Sequence, residues 1–197
     1  MSRDASGEHL AFPRQGCIEV VCGSMFSGKT EELLRRLKRA RYAKLQVQLF
    51  KPKVDQRYDA VKVVTHEGID ADAVPVTSSE QMLSFVDMDE TAIVGIDEVQ
   101  FFDEGVCGAV EKLANHGMRV IVAGLDQDYM GRPFGPMPTL MSIAEYVTKL
   151  QAVCQQCGAP ACRSQRLVAR EGQLFVGGTA EYEARCRRCF VAGVVER

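Results

Sequence analysis

The sequence lacks tryptophan altogether and has only three histidines among its 197 residues. The histidines show neither the spacing of metal ligands nor a catalytic partner, so no role is assigned to them. Long apolar runs are also missing, and none approaches the roughly 18 residues that a membrane-spanning helix needs. We therefore expect a protein without a membrane partner.

An excess of positive charge is absent as well: 24 basic and 26 acidic residues give a formal net charge of -2. Proteins that bind mainly the phosphate backbone of DNA or RNA are usually basic, so nucleic acid is not an expected partner. Residues 1–15 lack the apolar core of a secretory signal, and we expect them to form a mobile tail of a cytoplasmic protein. In that compartment, paired cysteines are more often metal ligands than disulfides.

Apolar strand patterns alternate with helical patterns up to about residue 150. This alternation predicts an α/β fold, with a mostly parallel sheet and helices on both faces. From Cys154 onward, cysteines, glycines and arginines replace the long periodic segments. We therefore expect a main domain over residues 16–150, a small C-terminal subdomain over 151–192, and a tail over 193–197.

Three shorter segments also give local predictions. Residues 79–86 predict a short helix, with Ser79 as its capping residue. Residues 125–138 are rich in glycine, proline and aspartate and predict a functional loop. Residues 146–153 predict the last strand of the main domain.

Residues 23–30 read Gly-Ser-Met-Phe-Ser-Gly-Lys-Thr and match the phosphate-binding loop pattern in full. An apolar strand precedes them and an amphipathic helical pattern over residues 30–43 follows, as this loop requires. Lys29 is expected to reach the β- and γ-phosphates of ATP, and Thr30 to bind Mg²⁺. A glycine turn that merely caps a helix is the alternative. The residues predicted to bind ATP and magnesium are Gly23, Ser24, Met25, Phe26, Ser27, Gly28, Lys29, Thr30, Asp97 and Gln100.

Two acidic residues, Asp97 and Glu98, directly follow an apolar strand pattern. Ligands of parallel sheets bind beyond the carboxyl ends of the strands, where P-loop proteins place an acidic magnesium residue. Asp97 is the predicted magnesium residue, and Glu98 the base that deprotonates an acceptor hydroxyl. The alternative is the acidic first turn of an ordinary helix.

Four cysteines form two CxxC pairs, with 28 residues between Cys157 and Cys186. Four thiolates suit a tetrahedral Zn²⁺ ion and leave no coordination position open for catalysis, which predicts a structural site. A redox role for one CxxC would not explain the second pair. The predicted zinc ligands are Cys154, Cys157, Cys186 and Cys189, and Cys162 is a weaker candidate for an alternative ligand.

Taken in this order, these motifs resemble the zinc-containing thymidine kinases of bacteria and of the animal cytosol, over about residues 16–190. The resemblance rests on the phosphate loop, on Asp-Glu-Val-Gln-Phe-Phe at 97–102, on Gly-Leu-Asp at 124–126, on the paired CxxC, and on Gly177-Gly178 followed by Tyr182 to Cys186. It implies ATP-dependent phosphorylation of thymidine at its 5′-hydroxyl, with ATP, Mg²⁺ and structural Zn²⁺. It also implies feedback inhibition by dTTP and a homotetramer.

The same resemblance implies roles for single residues. Glu98 matches the catalytic base, Lys29 belongs to the catalytic set, and Arg57 would lie near the transferred phosphate. The resemblance also implies a P-loop (RecA-like) nucleotide-binding kinase domain over 16–150 and a zinc-ribbon-like subdomain over 151–192. In that subdomain, the segment between the CxxC pairs resembles the lasso loop that closes over the nucleoside. Of the neighbours Phe101 and Phe102, one is expected to reach the substrate. The residues implied to line the base and sugar pocket are Met25, Phe101, Leu125, Tyr129, Phe134, Ser164, Phe175, Gly177 and Tyr182.

Two other functions stay open on the sequence alone. The first is a nucleic-acid-dependent P-loop ATPase with a zinc knuckle, because Asp-Glu-Val-Gln at 97–100 resembles the acidic motif of some helicases. The net charge and the lack of a second motor domain in the sequence speak against it. The second is a nucleotide-binding regulator that zinc stabilises and that catalyses no reaction, so Glu98 would have no catalytic role.

Overall fold

The computed structural model describes residues 16–53, 73–168 and 180–194 with their side chains, and residues 62–64 and 70–72 as backbone. The strands are β1 (Cys17–Gly23), β2 (Val47–Pro52), β3 (Lys62–Val64), β4 (Asp70–Asp72), β5 (Val74–Val76), β6 (Ile93–Ile96), β7 (Arg119–Gly124), β8 (Tyr146–Leu150), β9 (Ala152–Val153), β10 (Pro160–Ala161), β11 (Arg163–Arg166) and β12 (Tyr182–Arg185). The helices are α1 (Lys29–Tyr42), α2 (Ser79–Phe85), α3 (Gly105–Asn115) and α4 (Met137–Ile143).

Among the described residues, the central sheet has six strands in the order β5-β2-β6-β7-β1-β8, and every neighbouring pair is parallel. One apolar cluster joins this sheet to α2, α3 and α4. A second cluster joins the opposite face to α1. The predicted α/β fold, with a parallel sheet and helices on both faces, is confirmed.

The buried face of α1 follows from its sequence. Leu33, Leu34, Leu37 and Ala40 recur at helical spacing and are buried against the sheet. Glu32 lies on another face and accepts hydrogen bonds from Arg35 and Arg36, three and four residues further on. The apolar face of α1 therefore packs on the sheet, and its charged face carries ion pairs.

The capping residue predicted for α2 is wrong by one position. The Ser78 hydroxyl accepts a hydrogen bond from the Gln81 N–H at 3.1 Å, so Ser78 caps the helix. Ser79 is buried and donates to Asp103 at 2.6 Å. The contact with Asp103, which is distant in sequence, therefore holds the hydroxyl of Ser79, and Ser78 caps the helix.

Replacing Ser78 with alanine is expected to lower the free energy of unfolding by about 1 kcal/mol, because one amide of the first turn loses its acceptor. Chemical denaturation followed by circular dichroism measures the change. Ser84→Ala is the matched control, since Ser84 lies exposed at the other end of α2. An equal loss in both variants would contradict the cap assignment.

The strand predicted over residues 146–153 is two strands. β8 ends at Leu150 as the edge of the central sheet, and β9 pairs antiparallel with β10. The loop predicted over residues 125–138 ends inside α4, which begins at Met137 and has Pro138 in its first turn. Proline lacks an N–H and is favoured in a first helical turn, where that donor has no partner within the helix.

The C-terminal part contains two short antiparallel pairs, β9–β10 and β11–β12. Their small core holds Ala152, Ala161 and Ala184 together with three of the paired cysteines. Over the described ranges, none of the helices combines the length and apolar character needed to cross a membrane.

Candidate active site and metal centre

The phosphate loop lies between the end of β1 and the start of α1. Gly23 has φ 146°, and a side chain there would approach the Leu150 carbonyl oxygen to 2.5 Å. Gly28 has φ 82°, a left-handed conformation that glycine adopts without a steric penalty. The Lys29 ammonium donates to the Ser24 carbonyl at 2.8 Å, so the lysine side chain folds back onto the backbone of the loop. The predicted strand–loop–helix context is present.

Thr30 and Asp97 meet at the mouth of this loop. The Thr30 hydroxyl donates to the Asp97 carboxylate at 3.0 Å. Burial raises the pKa of Asp97 to about 7, and the negative charge of Glu98 adds to the rise. Burial lowers the pKa of Lys29, while the neighbouring carboxylates oppose that shift. A hydroxyl and a carboxylate placed together here could hold Mg²⁺, which prefers oxygen ligands.

Glu98 has an unusual backbone conformation for a residue other than glycine. Its φ is 51°, and such conformations cost free energy and concentrate at functional sites. Its side chain is exposed, whereas Asp97 and Val99 beside it are buried. The Asp97 carboxylate accepts a hydrogen bond from the Glu98 N–H at 3.0 Å. This backbone conformation therefore exposes the side chain of Glu98 just beyond the carboxyl end of β6.

Gln100 links Glu98 to the next strand end. Its side chain is buried, and its amide group donates to the Glu98 carboxylate at 2.5 Å. Its carbonyl oxygen accepts from the Leu125 N–H at 3.0 Å. Gln100 was predicted from the sequence to bind ATP or magnesium. In the structure, its side chain bonds the carboxylate of Glu98 and the loop after β7.

An aromatic cleft lies beside the hydrogen bond between Gln100 and Leu125. The rings of Phe101 and Phe134 meet edge to face, with centroids 5.6 Å apart. Of the two neighbouring phenylalanines, Phe101 lines the cleft and Phe102 packs in the main core. The residues that line the cleft are Met25, Phe101, Leu125, Gln127, Asp128, Tyr129, Phe134, Ser164 and Tyr182.

Seven of these nine residues were predicted from the resemblance; Gln127 and Asp128 were missed. The Asp128 carboxylate accepts hydrogen bonds from the N–H groups of Met130 and Arg132, both at 2.9 Å. Gly131 completes the turn with φ 75°. The sequence Asp-Tyr-Met-Gly-Arg at 128–132 is typical of a turn. It could have identified Asp128 as the residue that orders the turn on this side of the cleft.

The phosphate loop also touches the C-terminal part of the chain. The Met25 N–H donates to the Ser164 hydroxyl at 3.0 Å, and the Ser24 hydroxyl donates to the Ala161 carbonyl at 3.4 Å. Phe26, with φ 64°, packs against the small core around the paired cysteines. Three consecutive residues of the loop therefore rest on the cysteine-bearing segment.

Cys154, Cys157, Cys186 and Cys189 converge, with all four sulfur atoms within 4.8 Å of one another. The sulfur atoms of Cys157 and Cys186 are 3.7 Å apart. Tetrahedral zinc with Zn–S bonds of about 2.3 Å requires sulfur–sulfur separations of roughly 3.8 Å. The four side chains therefore fit a zinc ion, and Cys162 is not part of this cluster.

Three predicted site residues, Arg57, Phe175 and Gly177, lie outside the described residues, as do the 55–58 loop and most of the lasso segment. Their positions relative to the cleft stay predictions.

A family profile described as thymidine kinase matches residues 16–190. A thymidine kinase of a Rhodothermus species is 57% identical over 175 residues, which cover 89% of this chain and 81% of that protein. A thymidine kinase of Bacteroides thetaiotaomicron is 51% identical over 178 residues, covering 90% of this chain and 88% of that protein. The chain belongs to the thymidine kinase family.

Proposed function

We propose that this protein phosphorylates thymidine at its 5′-hydroxyl with ATP and produces dTMP and ADP. The observation that carries the proposal is the position of Glu98 between two sites. Glu98 directly follows Asp97, which is bonded to Thr30 of the phosphate loop. Through Gln100 it is also joined to Leu125 of the aromatic cleft. A base at that junction can serve a phosphate donor on one side and a nucleoside on the other.

On the donor side, residues 23–30 would bind the phosphates of ATP through backbone N–H groups. The charged Lys29 would contact the β- and γ-phosphates, releasing its present bond to Ser24. Thr30 and Asp97 would hold the magnesium ion, which when bound supplies positive charge to the phosphate oxygens.

On the acceptor side, an aromatic base would lie against the aromatic side chains of the cleft, of which Phe101 and Phe134 are in edge-to-face contact. Glu98 would accept the proton of the 5′-hydroxyl as its oxygen forms a bond to the γ-phosphorus. The bond from that phosphorus to the bridging oxygen of ADP breaks in the same transfer. By resemblance, Arg57 acts at the transferred phosphate, and Phe175 and Gly177 cover the nucleoside.

The zinc ion is proposed to be structural. Four thiolates fill its coordination, which leaves no position for a substrate. Its role would be to hold β9 to β12 in place, and through them the loop residues that rest on this segment. A domain boundary near residue 150 is supported by the pairing of β9, which bonds to β10 in a separate sheet.

Regulation and assembly are further parts of the proposal. dTTP carries both a thymine nucleoside for the cleft and a triphosphate for the loop, so one molecule could occupy both sites and act as a feedback inhibitor. The homotetramer and the cytoplasmic location follow from the family resemblance.

The test is ADP formation by the zinc-loaded full chain with each nucleoside supplied in turn. We expect turnover with thymidine and little with cytidine or purine nucleosides. Turnover without any nucleoside, increased by single-stranded DNA, would instead support the nucleic-acid-dependent ATPase.

Removing the amide of Gln100 is expected to lower kcat by about tenfold to a hundredfold in Gln100→Met. The carboxylate of Glu98 loses a charge-assisted hydrogen bond, which contributes about 1.5–3 kcal/mol. Steady-state kinetics with thymidine and ATP measure the loss. The matched control is Gln48→Met, because Gln48 bonds the Phe85 carbonyl far from the cleft. A kcat equal to that of the control would rule out a role for Gln100 in holding Glu98.

A further inference from the structure

Arg166, at the end of β11, is a charged side chain with no solvent exposure. A guanidinium group is costly to bury unless its surroundings compensate its charge. The guanidinium carbon lies 4.6 Å from the centre of the Tyr129 ring and 5.9 Å from the centre of the Tyr182 ring. Both distances are within the range of cation–π attraction.

The two rings come from separate parts of the chain. Tyr129 belongs to the turn after β7, which Asp128 orders through its backbone hydrogen bonds. Tyr182 opens β12 and is the register partner of Arg166 in the β11–β12 pair. Both tyrosines line the aromatic cleft, and Arg166 is not among the residues that line it. The buried guanidinium therefore contacts both tyrosine rings of the cleft.

We propose that Arg166 is a positioning residue that fixes the spacing of the Tyr129 and Tyr182 walls and thereby sets the affinity of the cleft for a pyrimidine nucleoside. This inference rests on the proposed function. A planar guanidinium can face aromatic rings over its whole surface, whereas an ammonium group is a compact point charge. Burial raises the pKa of Tyr182, and the positive charge of Arg166 opposes that rise.

The kinetic test compares Arg166→Met and Arg166→Lys with the parent chain, all zinc-loaded. We expect the KM for thymidine to rise about tenfold in Arg166→Met and about threefold in Arg166→Lys, with kcat and the KM for ATP within about twofold. Arg119→Lys is the matched control, because Arg119 pairs with Glu19 at the start of β7, whereas the cleft residue Leu125 follows the other end of that strand. Its KM for thymidine should not change.

A merely structural role for Arg166 predicts a different result. The KM values for ATP and thymidine would then rise together, or the thymidine KM would stay unchanged in a folded variant, and either result would overturn the proposal. If Arg166→Met does not fold, Arg166→Lys decides alone: a selective rise in the thymidine KM supports the proposal and an unchanged value overturns it.

A second readout does not depend on turnover. Carbon-13 labelling of the five tyrosines allows their ring signals to be followed by NMR without nucleoside. Arg166→Lys should shift the signals of Tyr129 and Tyr182 and leave those of the exposed Tyr42 and Tyr146 in place. Unmoved Tyr129 and Tyr182 signals would overturn the placement of the walls. Shifted signals in a protein whose parent form does not turn over thymidine would support the placement and refute the proposed function.

Discussion

Glu98→Gln is expected to lower kcat by about 10²–10⁴-fold and to leave the KM values for ATP and thymidine close to those of the parent enzyme. Glutamine keeps the size of the side chain but cannot accept the proton of the 5′-hydroxyl, and a general base contributes an effect of this size. The loss should appear in kcat because the missing interaction is made only in the transition state.

The measurement is steady-state kinetics with both substrates varied, together with ATP binding by calorimetry. Glu104→Gln is the matched control, since Glu104 is an exposed carboxylate six residues further along the chain. If Glu98→Gln kept full activity, Glu98 would not be the base. Tight ATP binding without turnover in the parent chain would favour the regulator.

Loss of zinc is expected to weaken ATP binding by about a hundredfold or more. Zinc-binding free energy in small sites is largely folding free energy, so the segment that holds the metal should loosen without it. Ser24, Met25 and Phe26 of the phosphate loop rest on that segment. Two hydrogen bonds at about 1 kcal/mol each and one partly buried ring are enough for this effect.

Cys157→Ser tests this coupling by removing one of the four thiolates. Zinc content, ATP affinity and amide exchange of residues 24–26 should all change together. Cys162→Ser is the control, because Cys162 stands outside the four-sulfur cluster and should retain the metal. Unchanged ATP affinity in zinc-free protein would show that the loop does not need the zinc segment.

The sequence predicted the features whose residues lie close together along the chain. The phosphate loop and each CxxC have a fixed local spacing, and the chemistry of each follows from that spacing. The parallel sheet followed from alternating apolar patterns. Local pattern alone could not assemble the aromatic cleft, because its walls come from separate segments such as Met25, Phe101 and Tyr182. Those residues were found through the family resemblance.

The misses have a common physical cause, which is that contacts distant in sequence decide between local alternatives. Asp103 binds Ser79 and leaves Ser78 to cap α2. The strand predicted over 146–153 is divided because its first part pairs with β1 and its second part with β10. Neither choice can be read from the segment itself.

Transfer of the γ-phosphoryl group of ATP to the 5′-hydroxyl of thymidine is tested most directly by identifying the product. The zinc-loaded chain is incubated with γ-labelled ATP and either thymidine or 5′-deoxythymidine, which lacks the acceptor hydroxyl. We predict one labelled dTMP for each ADP formed with thymidine, and no labelled nucleotide product with 5′-deoxythymidine. Label that appears only as free phosphate, with thymidine recovered unchanged, would contradict the assignment.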